Sequence, residues 1–233
     1  MRNDVLATVS AVALSTGFAF AAQAAPPLPM PIFTWTGCYV GVQAGLDAGN
    51  SKWNDPFPSG WGTVSYGTSG GIVGGQVGCN YQMQNFVIGA EGELWGSSLS
   101  GSTSKLLGGE GGGLFSFHSK SDIAGDLSVR AGYAFDRVLL FSKIGAAWAH
   151  YSFTETYPSV NSPDTGQGDY SGLLLGLGVE YAIDLHWSVK GEYDYINYGS
   201  KNIPMYMVTG AYDYSPKISN YENIFKAAVN YRF

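Results

Sequence analysis

Apolar and polar residues alternate with a period of two through most of this chain, and most clearly at its end. Every second residue back from the last gives Phe233, Tyr231, Val229, Ala227 and Phe225, while the other parity gives Arg232, Asn230, Ala228, Lys226 and Ile224. Successive side chains of a strand point to opposite faces, so this is a strand with one oily and one wet face. The same alternation, broken by Gly-, Ser- and Asp-rich stretches, predicts eight strands at 36–47, 70–82, 85–96, 121–134, 137–151, 169–182, 186–198 and 221–233. Most are longer than an ordinary globular strand and match the ~9–11 residues a tilted strand needs to cross a bilayer.

The breaks alternate in kind. Met83-Gln84, Phe135-Asp136 and Ile183-Asp184-Leu185 are tight; 48–69, 97–120, 152–168 and 199–220 are long. Short turns at one end, long loops at the other and an even strand number are the layout of a closed transmembrane barrel. Such a barrel has both mature termini and its short turns in the periplasm, and its loops outside the cell. Tyrosines recur roughly every fifty residues, at 81, 133, 181 and 231, each one step before a turn or the chain end. With Phe86, Trp187 and Phe233 they form an expected periplasmic aromatic girdle.

Alternation alone leaves open which face points inward, because a soluble secreted ligand-binding barrel would place its apolar row inside. The glycines favour a polar lumen. They repeatedly neighbour charged residues on the polar parity, where small side chains let long ones fit inside a narrow barrel, whereas glycine on a water-facing strand is only a cost. The expected lumen charges are Glu91, Glu93, Asp126, Glu180, Glu192 and Asp194 against Arg130, Lys143, Lys190, Lys226 and Arg232. Six acids facing five bases suggest a paired plug, since buried charges persist when paired. A charge-lined pore is the alternative.

Composition agrees with a barrel in lipid. Charged residues are 13% of 233, against roughly 25% for a soluble domain, with 33 glycines and 15% aromatics. No apolar run reaches the length of a spanning helix. A net charge of −6 argues against nucleic acid as a partner. At the start, Arg2 precedes the apolar stretch 5–20 and then Ala22-Gln23-Ala24, which predicts a signal peptide at 1–24, with cleavage after Ala21 as the alternative. A Pro-rich lead-in at 25–35 and the barrel at 36–233 follow.

Catalytic chemistry is sparse. Gly108 to Gly113 lacks the Lys-Ser/Thr of a phosphate loop, and His118, His150 and His186 are too scattered for a metal cluster, so no metal or cofactor is expected. His118 with Ser116 and Ser119, in an expected outer loop, is the single candidate for hydrolytic chemistry, and a solvated loop is the better reading of it. Cys38 and Cys79 fall on the apolar parity near the turn ends of strands one and two. A cross-strand disulfide and a pair of free thiols facing lipid both fit. Trp53, Phe57, Trp61, Tyr206, Tyr212 and Tyr214 in the first and last loops could hold an unknown surface ligand or pack on one another.

Trp35-Thr36-Gly37-Cys38-Tyr39-Val40-Gly41 after the Pro-rich lead, Gly89-Ala90-Glu91-Gly92-Glu93, Arg130-Ala131-Gly132-Tyr133-Ala134-Phe135-Asp136, Gly178-Val179-Glu180-Tyr181-Ala182 and Asn230-Tyr231-Arg232-Phe233 resemble the small alphaproteobacterial outer-membrane barrel proteins, the porin-family or surface-antigen proteins of rhizobia and their relatives. The resemblance covers essentially the whole mature chain. It implies an all-β, eight-stranded antiparallel up-and-down barrel of the OmpA transmembrane type. It also implies insertion by the barrel-assembly machinery, which reads the terminal strand ending in Phe233. By the same resemblance the protein is a non-enzymatic surface component, described in such proteins as envelope-stabilising or antigenic, and in some members as a porin or haemin binder. The cysteines at 38 and 79 depart from the family pattern.

Overall fold

The computed structural model describes residues 33–54, 62–107, 113–157 and 162–233. Among them are nine strands and no helix: β1 (Gly37–Asn54), β2 (Thr63–Met83), β3 (Phe86–Ser97), β4 (Ser100–Leu107), β5 (Gly113–Phe135), β6 (Val138–Tyr157), β7 (Ser162–Ala182), β8 (Trp187–Asn202) and β9 (Lys217–Arg232). All pairings are antiparallel, and they run β1, β9, β8, β7, β6, β5, β3, β2 and back to β1. β4 continues β3 after Ser98 and Leu99 and pairs with β5 along its whole length. It therefore extends one stave, and the wall is a closed ring of eight.

The strands run well beyond the predicted ones. β5 has 23 residues, and β2 and β7 have 21 each. Most of the expected loops at 48–69, 97–120 and 152–168 are strand: β1 reaches Asn54, β4 and the start of β5 form a hairpin, and β6 reaches Tyr157. His118 accordingly lies on β5 and not in a loop. Of the fourth expected loop, 203–216 lies between strands and is tied down by the isolated bridges Thr165↔Tyr206 and Tyr206↔Tyr212. The tight turns sit one residue later than expected, at Gln84-Asn85 and Asp136-Arg137, with Gln84 and Asp136 at φ 56° and 54°. At the third turn the Asp184 carboxylate accepts the backbone N–H of His186 and Trp187, at 2.7 and 2.8 Å. Those two donors hold it below the usual carboxylate range.

The outward face carries an apolar belt from the turn end to roughly mid-strand. It includes Val42, Leu46, Val73, Leu127, Leu177 and Phe225, each more than half exposed. The polarity of both faces then reverses. On β6 the outward row reads Leu140, Ile144 and Trp148, then His150, Ser152 and Thr154; the inward row reads Lys143, then Ala147, Ala149, Tyr151 and Phe153. A bulge between Ser121 and Ile123 moves the inward parity of β5 from odd positions (Phe115, Phe117, Ser119, Ser121) to even ones (Ala124, Asp126, Ser128, Arg130). The same wall thus encloses a polar lumen at the turn end and an apolar core at the loop end.

The expected signal peptide at 1–24 lies outside the described residues, as do Phe57 and Trp61. Of the expected lead-in, Phe33, Thr34 and Trp35 are described. They do not trail away: Trp35 is buried inside the turn end with Val87, Ala134, Leu139 and Ala182. Its indole donates to the Asp136 carbonyl (3.1 Å), and its backbone N–H donates to Gln82 Oε1 (2.7 Å).

Candidate functional site: the filled lumen

Above Trp35 the lumen holds a tier of charge. Period-two strands aim every second residue inward, so β3 contributes Glu91 and Glu93, β5 Asp126 and Arg130, β6 Lys143, β7 Glu180, β8 Lys190, Glu192 and Asp194, and β9 Lys226. Lys143 Nζ lies 2.7 Å from Glu192, 3.1 Å from Glu93, 3.3 Å from Asp194 and 3.7 Å from both Glu91 and Asp126. Lys190 reaches Glu91, Glu93 and Glu192 at 3.0–3.2 Å. Lys226 contacts Glu93, Glu192 and Asp194 and lies 5.2 Å from the Trp95 ring centre. Arg130 pairs with Glu180 at 2.9 Å and Glu91 at 3.3 Å, with its guanidinium 3.9 Å above the Phe141 ring.

Two carboxylate triplets here, Glu91–Glu93–Glu192 and Glu93–Asp126–Asp194, have a metal-like spacing. The three ammonium groups already occupy the space between them. Glycine makes the packing feasible: a methyl group at Gly176 would strike Asp194 Oδ1 and Lys143, and one at Gly78 would strike the Tyr39 ring. Tyr39 itself donates to Glu91 Oε2 at 2.5 Å and accepts from Arg130 at 2.8 Å.

The structure brings ten of the eleven expected lumen charges into this network. Arg232 is the exception. It donates to the Thr34 carbonyl at 2.5 Å and lies over Phe33 and Trp35, with its centre 4.7 and 4.9 Å from the rings. The expected near-balance of charge is also wrong. Asp47 and Glu222 are inward and buried as well, one tier higher, although neither is among the expected lumen charges; both lie on the polar parity within the predicted strands 36–47 and 221–233. With Glu155, also buried and inward on β6, nine buried acids among the described residues stand against the four bases of the packed network, Arg232 lying apart. The signal was there: Tyr39 and Asp47 share the parity of Gln43.

Glu222 accepts the hydroxyls of Tyr151 and Tyr198, the latter at 3.3 Å. Above it the lumen closes with packed rings. Trp53 meets Phe117 and Phe153 edge-on at 5.1 and 5.6 Å, and Tyr151, Tyr170 and Tyr198 form a mutually edge-on trio. Trp53 is thus a core residue because β1 runs past the expected start of its loop, and Tyr214, in the 203–216 segment between strands, folds into the same core. Tyr206 and Tyr212 remain exposed and pack edge-on, 6.2 Å apart.

Tyr81, Phe86, Tyr133, Tyr181, Trp187, Tyr231 and Phe233 are all outward and exposed at the turn end. Phe86 meets Tyr133 at 5.3 Å and Trp187 meets Tyr231 at 5.1 Å. Cys38 and Cys79 are direct cross-strand partners on β1 and β2, joined by a disulfide on the outward face. The hydrolytic candidate is not assembled. His118 and Ser116 face outward, Ser116 bonded to Ser104 (2.8 Å), while Ser119 faces inward and bonds Tyr66 (2.5 Å). His150 pairs instead with Asp169 at 2.7 Å, and His186 stacks on Tyr231.

A family model described as the outer membrane protein beta-barrel domain matches residues 10–233. Two relatives, the 31 kDa outer-membrane immunogenic proteins of Brucella melitensis biotype 1 and Brucella suis biovar 1, are each 32% identical over 221 residues, covering 87% of this chain and 90% of theirs. Among solved structures, the outer membrane protease OmpT of Escherichia coli aligns with a TM-score of 0.56 at 13% identity, over 86% of this chain and 98% of that one. At that identity the likeness concerns the fold alone. The apolar belt faces the lipid of the outer membrane, and the chain belongs to the outer membrane β-barrel family.

Proposed function

We propose that this barrel is a non-enzymatic, non-conducting component of the outer membrane that acts through its exposed outer rim. The turn end with both mature termini faces the periplasm, and the 203–216 segment and strand hairpins stand outside the cell. The observation that carries this reading is the filled lumen. Lys143, Lys190 and Lys226 are fully buried among carboxylates, with Trp35 below and the Trp53–Phe153 cluster above. An eight-stranded barrel has room for little more than its own side chains, which favours a plug over a pore. The exposed apolar residues at the tips, Leu106 with its cross-strand partner Leu114 and Tyr206, Val208 and Tyr212, are where an unknown surface ligand would be met.

Assembly through the barrel-assembly machinery is supported by β9, whose last outward residue is Tyr231 and which closes the ring against β1. Planar-bilayer recording of the purified barrel tests the function directly. The expected result is a silent membrane; steady openings abolished by Lys143→Ala or Glu91→Ala would establish the narrow-channel alternative.

A further inference from the structure

Just above the apolar belt the outward wall is not charged alike all round. On β5 and β6 the bases have acids beside them: Lys120 lies 2.5 Å from Asp122, and His150 lies 2.7 Å from Asp169. Across β8, β9 and β1 the outward rows read Asn197–Tyr221–Asn50, then Ser200–Ser219–Lys52, then Asn202–Lys217–Asn54. Both lysines are exposed, and no acid stands in these rows. Tyr195 and Tyr221, with ring centres 6.3 Å apart on the outward face below them, mark where the belt ends.

A groove of about 330 Å³ opens on the outward face beside these rows. Leu173, Leu175 and Tyr195 line its lower end, and Ser171, Asn197 and Gly199 its upper end. The groove exists because the β7–β8 ladder stops at Leu173↔Asn197, where β8 bulges between Asn197 and Ser200. Gly199 turns the chain there at φ 64°, its backbone N–H donating to Asn197 Oδ1 at 2.9 Å. Above the groove Lys201 reaches across the open seam and donates to the Asp169 carbonyl at 2.9 Å. An ammonium group has three donors, so Lys201 can still meet a ligand, and the Asp169 carboxylate beside it is engaged by His150.

We infer that this groove, with Lys201, Lys217 and Lys52 above it, is a docking site for an anionic phosphorylated lipid in the leaflet at the loop end. An acyl chain lies against Leu173, Leu175 and Tyr195, and the phosphate meets Lys201 at the head of the groove and the two further bases on the next strands. A phosphate group offers several strong acceptor oxygens and more than one negative charge, which suits a stretch of wall that has bases and no acid. Bases held just outside a bilayer attract anionic headgroups over about a Debye length, so the pull is local to this side of the barrel. The site belongs to the outer wall and is independent of whether the lumen conducts.

Native mass spectrometry of the folded barrel in detergent reads the site out. Dioleoyl phosphatidic acid is titrated against dioleoyl phosphatidylcholine, whose choline cancels the charge, and heat-dependent gel mobility checks the folding of every variant. The expected result is saturable binding of phosphatidic acid, at least about tenfold tighter than phosphatidylcholine, weakened by salt and not displaced by inorganic phosphate. Each base near an anionic headgroup contributes about fivefold, so Lys52→Gln/Lys201→Gln/Lys217→Gln should lose roughly a hundredfold. Lys201→Gln alone should lose about fivefold and serves if the triple variant does not fold. Lys120→Gln, whose charge Asp122 already answers, should change binding less than about twofold. Ser171→Phe fills the groove with every base in place and should abolish the tight binding as well. Equal affinity for the two lipids, displacement by inorganic phosphate, or wild-type binding in either the triple variant or Ser171→Phe would overturn the site.

Discussion

The two halves of this barrel are built on opposite plans from the same strands. At the turn end, charge lies inside and Val42, Leu127 and Leu177 lie outside; at the loop end, Trp53, Phe117 and Phe153 lie inside and Lys52, Ser152 and Thr154 outside. On β6 the exchange occurs without any change of parity, between Trp148 and His150 on the outside and between Lys143 and Tyr151 on the inside. The difference teaches that solvent and not the strand decides which face is oily. Where lipid covers the wall, polar groups must satisfy one another in the lumen; where water covers it, the apolar residues go in as in any soluble core.

The largest expected effect comes from the charged half. Lys143→Ala would strand carboxylates around an emptied centre, at a cost of about 3–5 kcal/mol. Loss of heat-modifiable folded protein, or a large drop in urea midpoint, would register it. In the aromatic half, Trp53→Ala removes a ring that packs on Phe117 and Phe153 and should cost about 3 kcal/mol, mainly as a cavity. Because the two sites lie in different tiers, the double variant should be close to additive in the same urea titration.

Outward charges sharpen the contrast. Val42→Lys, on the belt, should destabilise by about 2–4 kcal/mol in lipid vesicles. Thr154→Lys, outward on the upper part of β6, should stay within about 0.5 kcal/mol. Equal penalties at both positions would deny that the wall changes solvent. The smallest effect belongs to Asp184. Its folded carboxyl titrates below its unfolded value, so its contribution is present above the ordinary carboxylate range and fades as pH falls through the depressed folded value. Asp184→Asn should therefore flatten the acid limb of the stability–pH curve and leave the curve unchanged in shape above it.

The lower half was legible in the sequence because period, glycine placement and charge all agree there. Gly89, Glu91 and Glu93 follow one another on the inward side of β3, and Tyr81, Tyr133, Tyr181 and Tyr231 mark one rim. The upper half was misread as loop for a physical reason. Its outward residues are Ser, Thr, Gly and Asp, the composition of loops, and its inward row is short on each strand. The alternation in Tyr151-Ser152-Phe153-Thr154 carried the signal, but the polarity rule learned from the belt pointed the wrong way there. The bulge at Ser121/Ile123 hid the register of β5 as well, since it swaps inward parity inside one strand. Asp47 and Glu222 lie inside the predicted strands 36–47 and 221–233 on the polar parity, so the sequence carried the signal for these two lumen acids.

Nitroxide labels at single outward positions test the central claim most directly, because the native cysteines are tied up in the Cys38–Cys79 disulfide. With the protein in lipid vesicles, labels at Val42 and Leu46 should collide with dissolved oxygen and be shielded from a water-soluble nickel chelate. Labels at Lys52 and Thr154 should show the reverse. A uniform profile up the wall, or nickel access at Val42, would contradict a barrel whose two halves face two solvents.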